Sequence, residues 1–288
     1  MSLSPVLSVI IPVYNDPDGL RQTLSSLVNQ RHNPVFEAIV VDNNSTDETP
    51  QVIEEFEREY PDIVFGCEEI DIQSSYAARN TGIENASGEI LAFIDADITV
   101  GVTWVADVHE RFQESDVDYL GCDVEMYIPV GKKTFWARYD YSMGLPVKHY
   151  LQTKRFAPTC SLVVRKTVLD DQGHFDESLV SGGDKEFGHR VDAAGFNMKF
   201  AADITVQHPV RNTFESHIKK AKRIGIGQFQ LWEKYNLADH PLSPIRFLPP
   251  NPSRILERKC GEENFVTIYF VSYFLKIVQA STAAYKVL

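Results

Sequence analysis

Apolar runs and helical stretches alternate along the first hundred residues, and most of the runs break off at a polar cluster. Residues 6–13 form the first run and end at Pro12-Val13-Tyr14-Asn15-Asp16. Residues 36–41 form the second and end at Asp42-Asn43-Asn44, and a short run at 63–67 follows. Residues 90–94 form the next and end at Asp95-Ala96-Asp97. Short β-branched and aromatic runs of this kind suit strands covered on both faces. Between them, Pro17 and Gly19 open a helix to about Asn29, with Leu20, Leu24, Leu27 and Val28 on one face. Ser45-Thr46-Asp47-Glu48 fits a capping box, Ser45 capping and Glu48 reaching back, ahead of a helix to about Tyr60. Ser74 starts another helix. The alternation predicts an α/β domain with a mostly parallel, Rossmann-like sheet flanked by helices.

In open α/β sheets, ligands bind outside the carboxyl ends of the strands. Three polar endings at one edge supply an aromatic ring to stack, carboxylates to accept a base N–H, and carboxylates to hold a cation. Asp95 and Asp97 carry the cation argument. Two apart in extended chain, they face the same side, and their charges repel unless a cation sits near. A hard divalent ion with oxygen ligands suits them. The plainer readings are a solvated turn at Asp95-Ala96-Asp97, a turn and cap at Asp42-Asn43-Asn44-Ser45, and a core-edge aromatic at Tyr14. No Gly-x-Gly-x-x-Gly follows the first run and no Walker A sequence is present, which argues against dinucleotide and P-loop sites.

Composition narrows the class. The 288 residues suffice for one large domain or two small ones, and 43% apolar with 24% charged residues is ordinary for a soluble globular chain. With 28 basic against 40 acidic side chains, the net charge of −12 argues against broad binding to nucleic acid. Cys67, Cys122, Cys160 and Cys260 stand far apart, with no zinc-like spacing and no demand for disulfides, so a reducing, cytoplasmic setting is expected. Met1-Ser2-Leu3-Ser4-Pro5 has no basic region before its apolar run, so no secretory leader is expected.

Four segments then resemble one family. Val9-Ile10-Ile11-Pro12-Val13-Tyr14-Asn15, Val40-Val41-Asp42-Asn43-Asn44-Ser45-Thr46-Asp47, Ala78-Arg79-Asn80-Thr81-Gly82 and Phe93-Ile94-Asp95-Ala96-Asp97 look like the family 2 glycosyltransferases. These are inverting enzymes of the GT-A fold that use nucleotide sugars. The likeness runs from about Ser8 to His208. It implies that Asp42 reads the base, usually uracil, that Pro12 and Tyr14 line the nucleoside pocket, and that Arg79 lies near the donor. It implies that Asp95 approaches the ribose or the metal shell and that Asp97 ligates Mg2+ or Mn2+. Asp16, Asn44 and Ala96, from the same three strand ends, complete the substrate-binding candidates.

The second half supplies acceptor-side candidates. Residues 103–114 read as a helix and 119–126 as a strand. Residues 131–148, with Phe135, Trp136, Tyr139 and Tyr141, have no clean period and read as an acceptor-side insertion or a core flap. Thr159-Cys160 stands where the family often has Gly-Asn. In Ser181-Gly182-Gly183-Asp184-Lys185-Glu186, Asp184 begins a helix, whose open N–H groups favour its charged form. The family usually has Glu-Asp there with the Asp as catalytic base. Here Gly183 replaces the acidic neighbour, and Glu186 is a nearby alternative. A plain helix cap is the structural reading of Asp184. His208 ends another short strand, and in this fold such a His often completes the metal site.

The expected layout is a catalytic domain over 1–210, its nucleotide-sugar half at about 1–100 and acceptor half at 101–210. A helical C-terminal extension over 211–288 follows. In that extension, residues 213–235 read as a helix made locally basic by Lys219, Lys220, Lys222 and Arg223. Residues 241–252 are proline-rich. Residues 265–278 form an apolar stretch of about fourteen residues, interrupted by Lys276 and short of the roughly twenty that span a bilayer. It reads as an amphipathic helix packed on the domain or resting at the cytoplasmic face of a membrane. The functional expectation is transfer of a sugar from a nucleotide diphosphate sugar, UDP-linked by the Asp42 argument, to a hydroxyl of a glycan, glycolipid or lipid carrier. A sugar nucleotidyltransferase and a non-catalytic nucleotide-sugar binding protein are the alternatives.

Overall fold

The computed structural model describes residues 4–31, 34–114, 116–253 and 264–287. Cys260 and the first three residues, on which the cysteine and leader expectations partly rested, lie outside them. The described residues divide into two compact units. The first holds the chain through Glu125 with Pro146–Ser178 and Gly183–His208. The second holds Met126–Leu145, Leu179–Gly182 and the chain from Pro209.

The first unit is built on a sheet whose eight described strands run in the order β3-β2-β1-β4-β7-β6-β8-β5. Its strands are β1 (Leu7–Val13), β2 (Phe36–Asp42), β3 (Val64–Glu68), β4 (Ile90–Phe93), β5 (Thr99–Val100), β6 (Tyr119–Tyr127), β7 (Leu162–Arg165) and β8 (Met198–Pro209). β3, β2, β1 and β4 pair in parallel, and β4–β7, β7–β6 and β8–β5 pair antiparallel. Every residue of β2 and β4 is buried, as suits strands covered on both faces, and the one acid inside β2, Glu37, accepts from the Ser8 hydroxyl. The parallel register sets Val13 beside Asp42, so the first two polar strand ends lie side by side.

The helices of this unit are α1 (Pro17–Val28), α2 (Thr49–Glu59), α3 (Ser75–Asn85), α4 (Trp104–Glu114), α6 (Val147–Lys154), α7 (Lys166–Gln172) and α8 (Gly183–Ala193). Asp16 caps α1 by accepting the Gly19 N–H at 3.0 Å, and Ser74 caps α3 by accepting from Tyr76 N. The expected capping box at Ser45 does not form. α2 starts at Thr49, with Pro50 in its first turn, and Asp47 Oδ1 accepts from both the N–H and the hydroxyl of Thr49. Ser45 Oγ accepts the Asn15 N–H instead, so a bond between loops has taken the hydroxyl that the local pattern assigned to the cap.

In the second unit, the aromatic stretch without a clean period is helical. Its α5 (Phe135–Met143) starts at a Thr134 cap and stops at Gly144, whose φ is 57°. With α9 (Phe214–Tyr235) and α10 (Phe265–Tyr285) it closes an apolar core of Tyr139, Ala221, Ile268 and Leu275. α10 is longer than the sequence suggested. It has 21 residues and is long and apolar enough to cross a membrane by length and composition. Lys276 does not break it, because its ammonium donates to the Leu248 carbonyl at 2.7 Å. The proline-rich segment holds a short 3-10 turn, Pro244–Phe247.

Candidate active site

The loops after β1 and β2 are laced together. Asn15 N donates to Ser45 Oγ at 2.9 Å, Thr46 N donates to Asn15 Oδ1 at 2.8 Å, and Asp16 N donates to Thr49 Oγ1 at 3.1 Å. Asn15 and Asn44 take φ of 50° and 64°, a left-handed backbone that costs non-glycine residues energy and that Asn tolerates best. Tyr14 stands half exposed beside this pair and Pro12 is partly covered. Asp42 is buried at 5% exposure, and its Oδ1 accepts the Ser45 N–H at 3.2 Å. Asn43 donates to the Glu69 and Ile72 carbonyls, tying the segment after β3 to the end of β2. Burial raises the Asp16 carboxyl above its ordinary value, against the pull of the Gly19 N–H it caps.

The second cluster forms after β4. Asp95 and Asp97 do not sit in extended strand, as the alternation argument assumed. β4 ends at Phe93, and Ile98 N donates to Asp95 O at 3.1 Å across a turn. The turn is pinned from below by a residue the sequence reading passed over. Thr23 of α1, fully buried, aims its hydroxyl at the Ala96 and Ile98 carbonyls, at 2.8 and 2.6 Å. Ala96 is therefore held by its backbone and its side chain is buried. After the turn, β5 pairs antiparallel with β8, Thr99 opposite Gln207 and Val100 opposite Val206. One step back, that register brings His208 to the turn. Ligand atoms of Asp95, Asp97 and His208 lie within 4.8 Å of one another.

Two carboxylate oxygens and one imidazole nitrogen converging from a turn and a strand end fit a divalent cation that keeps further positions for other oxygens. Arg79 of α3 supplies the balancing positive charge. Its guanidinium is almost fully buried, donates from Nη2 to Asp95 Oδ1 at 2.5 Å, and donates from Nη1 to the Ser75 carbonyl. Its Nε is buried and has no hydrogen-bond partner among the described residues.

Asp184 lies in the first turn of α8, where helix N–H groups lack intrahelical partners. Its Oδ1 accepts the Lys185 N–H at 2.9 Å. Burial pushes the Cys160 thiol well above its ordinary value, and the carboxylates of Asp95, Asp184 and Asp97 all add to the shift while Arg79 opposes it. Cys160 lies in the 3-10 turn Thr159–Ser161. The three residues of that turn are buried, so the Thr159-Cys160 departure sits in the core. Glu186, the alternative to Asp184, is buried at 3% exposure and held by both Nε and Nη2 of Arg190, at 2.6 and 2.9 Å. Arg190 also donates to the carbonyls of Gln172, Gly173 and His174, closing the end of α7.

Residues 8–173 match the model of the family described as Glycosyl transferase family 2. Glycosyltransferase AglE of Haloferax volcanii is 38% identical over 232 residues, covering 80% of this chain and 75% of that protein. Among solved structures, the mannosyltransferase PcManGT from Pyrobaculum calidifontis, in complex with GDP-Man and Mn2+, gives a TM-score of 0.67 at 18% identity. That match covers 98% of this chain and 87% of the other. S. aureus TarS 1–349, in complex with UDP-GlcNAc, gives 0.58 at 17% identity, covering 96% and 89%. The fold is that of the GT-A glycosyltransferases. By family match and by identity to a named relative, this chain belongs to glycosyl transferase family 2 and is a glycosyltransferase.

Proposed function

We propose that this enzyme transfers a sugar, with inversion, from a nucleotide diphosphate sugar to a hydroxyl acceptor in glycan, glycolipid or lipid-carrier synthesis. The convergence of Asp95, Asp97 and His208 within 4.8 Å, together with Asp184 in the first turn of α8, carries the reading. Pro12, Tyr14, Asp16, Asp42 and Asn44 form the nucleoside end. A buried carboxylate that accepts the N–H of a base suits uracil, so a UDP-sugar is the proposed donor. The two solved relatives hold different bases, GDP-Man and UDP-GlcNAc, so likeness of fold does not choose between them. Arg79, paired with Asp95, is the proposed cation on the donor side.

Asp97, Asp95 and His208 would hold Mg2+ or Mn2+, which when bound neutralises the charge that builds on the departing diphosphate. Asp184 takes the acceptor hydroxyl proton as the oxygen attacks the anomeric carbon from the face opposite the leaving group. One displacement inverts the configuration and needs no carboxylate nucleophile. Retention of configuration in the product would argue for a second nucleophile and against this assignment.

The test is a screen of UDP-, GDP- and TDP-sugars for hydrolysis and transfer, with and without EDTA, in wild type, Asp97→Ala and Asp184→Asn. Asp97→Ala should lose metal-dependent turnover and weaken UDP binding. Asp184→Asn should bind donor normally and transfer about 10²–10⁴-fold more slowly. UDP affinity indifferent to EDTA in wild type and Asp97→Ala alike would remove the metal. A silent Asp184→Asn would remove the base.

The helical unit suggests where the enzyme works. Val266, Phe270 and Phe274 stand exposed four residues apart on α10, while Ile268 and Leu275 of the same helix are buried. Phe214, at the start of α9, is exposed and its ring stacks with Phe274 at 6.3 Å. Lys222 and Arg223 of α9 are exposed. An aromatic apolar face with cations on the neighbouring helix suits peripheral contact with an anionic membrane surface. The free thiols Cys67, Cys122 and Cys160 accord with a cytoplasmic setting.

A further inference from the structure

Gly183 opens α8, one residue before Asp184, and its N–H is one of those a helix leaves without an intrahelical partner. The partner comes from another helix. Tyr76, in the first turn of α3 and 5% exposed, places its hydroxyl oxygen 2.9 Å from that N–H as acceptor. The ring stands where a side chain at 183 would begin. A Cβ there would lie 2.8 Å from Tyr76 Cζ and 2.9 Å from Cε1. Residue 183 therefore has no side chain because Tyr76 occupies its space.

The next turn of α3 reaches the other carboxylates. Arg79 binds Asp95, and its guanidinium carbon lies 5.8 Å from the Tyr76 ring centre. Asn80 both donates to and accepts from the backbone of Phe175. The Phe175 ring lies 5.8 Å from Tyr76 and 4.9 Å from Phe187 of α8. One short helix thus grips the metal-side acid at Arg79 and the start of the helix that bears Asp184 at Tyr76.

We infer that Tyr76 is a positioning residue for glycosyl transfer, its hydroxyl and ring fixing the first turn of α8 so that Asp184 stands in register with the Asp95–Asp97 pair. This inference rests on the reading of Asp184 as base. Without the hydroxyl, a buried N–H loses its partner, the first turn of α8 loosens, and Asp184 moves with it. A misplacement of about 1 Å at a reacting group costs on the order of 100-fold in rate. Donor binding depends on other residues and should be spared.

The experiment measures kcat and donor KM in Tyr76→Phe, Gly183→Ala, Asp184→Asn and the double variant Tyr76→Phe/Asp184→Asn. Tyr76→Phe removes only the hydroxyl. Gly183→Ala leaves the hydroxyl and displaces the ring, so it carries the test if the first variant does not fold. Each should lower kcat about 10- to 100-fold with donor KM unchanged. In the Asp184→Asn background, Tyr76→Phe should add nothing, because groups that act as a unit are lost only once. A merely structural Tyr76 would lower the double variant by the product of the single losses, and that result overturns the inference. Wild-type kcat in Tyr76→Phe and Gly183→Ala, with Asp184→Asn slow, overturns it while leaving the base in place. A silent Asp184→Asn removes the base and this inference together.

Discussion

Thr23→Val removes one hydroxyl from beneath the metal-side turn and keeps the shape of the side chain. The single Thr23 proton serves two carbonyls, of Ala96 and Ile98, at 2.8 and 2.6 Å, so only one full bond is lost. A neutral hydrogen bond contributes about 1 kcal/mol net, and a buried acceptor left unsatisfied costs about 1–3 kcal/mol. Thr23 is fully buried, so the upper part of that range applies. At roughly 2–4 °C per kcal/mol for a domain of this size, a loss of about 2–3 kcal/mol should lower the melting temperature by about 4–12 °C. The functional effect should be larger. The turn those carbonyls belong to carries Asp95 and Asp97, the proposed cation ligands, and groups that hold metal ligands in place typically affect affinity about 10- to 100-fold. Titration of Mn2+ into the UDP-saturated protein by calorimetry reads this directly, and Thr23→Ser, which keeps the hydroxyl, should restore most of it. A lowered melting temperature with Mn2+ affinity unchanged would make Thr23 a packing residue and refute the pinning argument.

Further outcomes follow from the same geometry. Asp42→Ala should weaken UDP binding by about ten- to a hundredfold even with EDTA present, since a charge-assisted bond contributes about 1.5–3 kcal/mol; equal affinity by calorimetry would take Asp42 out of the pocket. Glu186→Gln should cost stability, about 1.5–3 kcal/mol for losing a charge-assisted bond in a partly buried pair with Arg190, and slow transfer much less than Asp184→Asn does; the reverse order of rate losses would make Glu186 the base. Burial holds the His217 imidazole below its ordinary 6.5, the Asp140 carboxylate opposing and Lys220 assisting, so the unfolded chain takes up that proton first. Stability from this group is therefore full above 6.5 and lost as pH falls through it, and His217→Gln should flatten the acid side of a melting-temperature profile; an unchanged profile would contradict the assignment. Phe270→Ser with Phe274→Ser should abolish co-flotation with phosphatidylserine vesicles while leaving soluble-acceptor turnover intact; unchanged flotation would place the membrane contact elsewhere.

The strand–helix order and the polar strand ends were legible because both are local. Residues 38–41 carry in four letters the reason for a covered strand, whereas the register of β1 with β2 is seen only in the structure. Asp95 and Asp97 were singled out by residue type and spacing, whereas Arg79, Asp184 and His208 became candidates through the family resemblance. What could not be read locally was how they meet. Thr23 lies 73 and 75 positions from the carbonyls it holds, and nothing in its own helix marks it as different from any buried Thr. Thr99–Val100 is a two-residue strand, too short to leave a period, yet its pairing with β8 brings His208 to the acids. The Ser45 cap failed for the same reason: a partner thirty positions away, Asn15, competed for the hydroxyl.

The C-terminal helix shows the opposite limit, a local sign that misled. Lys276 inside an apolar stretch suggested an end to helical burial near fourteen residues. A lysine interrupts an apolar helix only if its ammonium is left without water or an acceptor, because the four-carbon stem is itself apolar. Here the Leu248 carbonyl takes the charge at 2.7 Å, and Tyr273, three residues earlier, donates its hydroxyl to the Phe247 carbonyl. The 3-10 turn Pro244–Phe247 and the residue after it thus present two carbonyls to one face of α10. The proline-rich segment, which by itself reads as a break in structure, is what lets the helix run on past its charge to Tyr285.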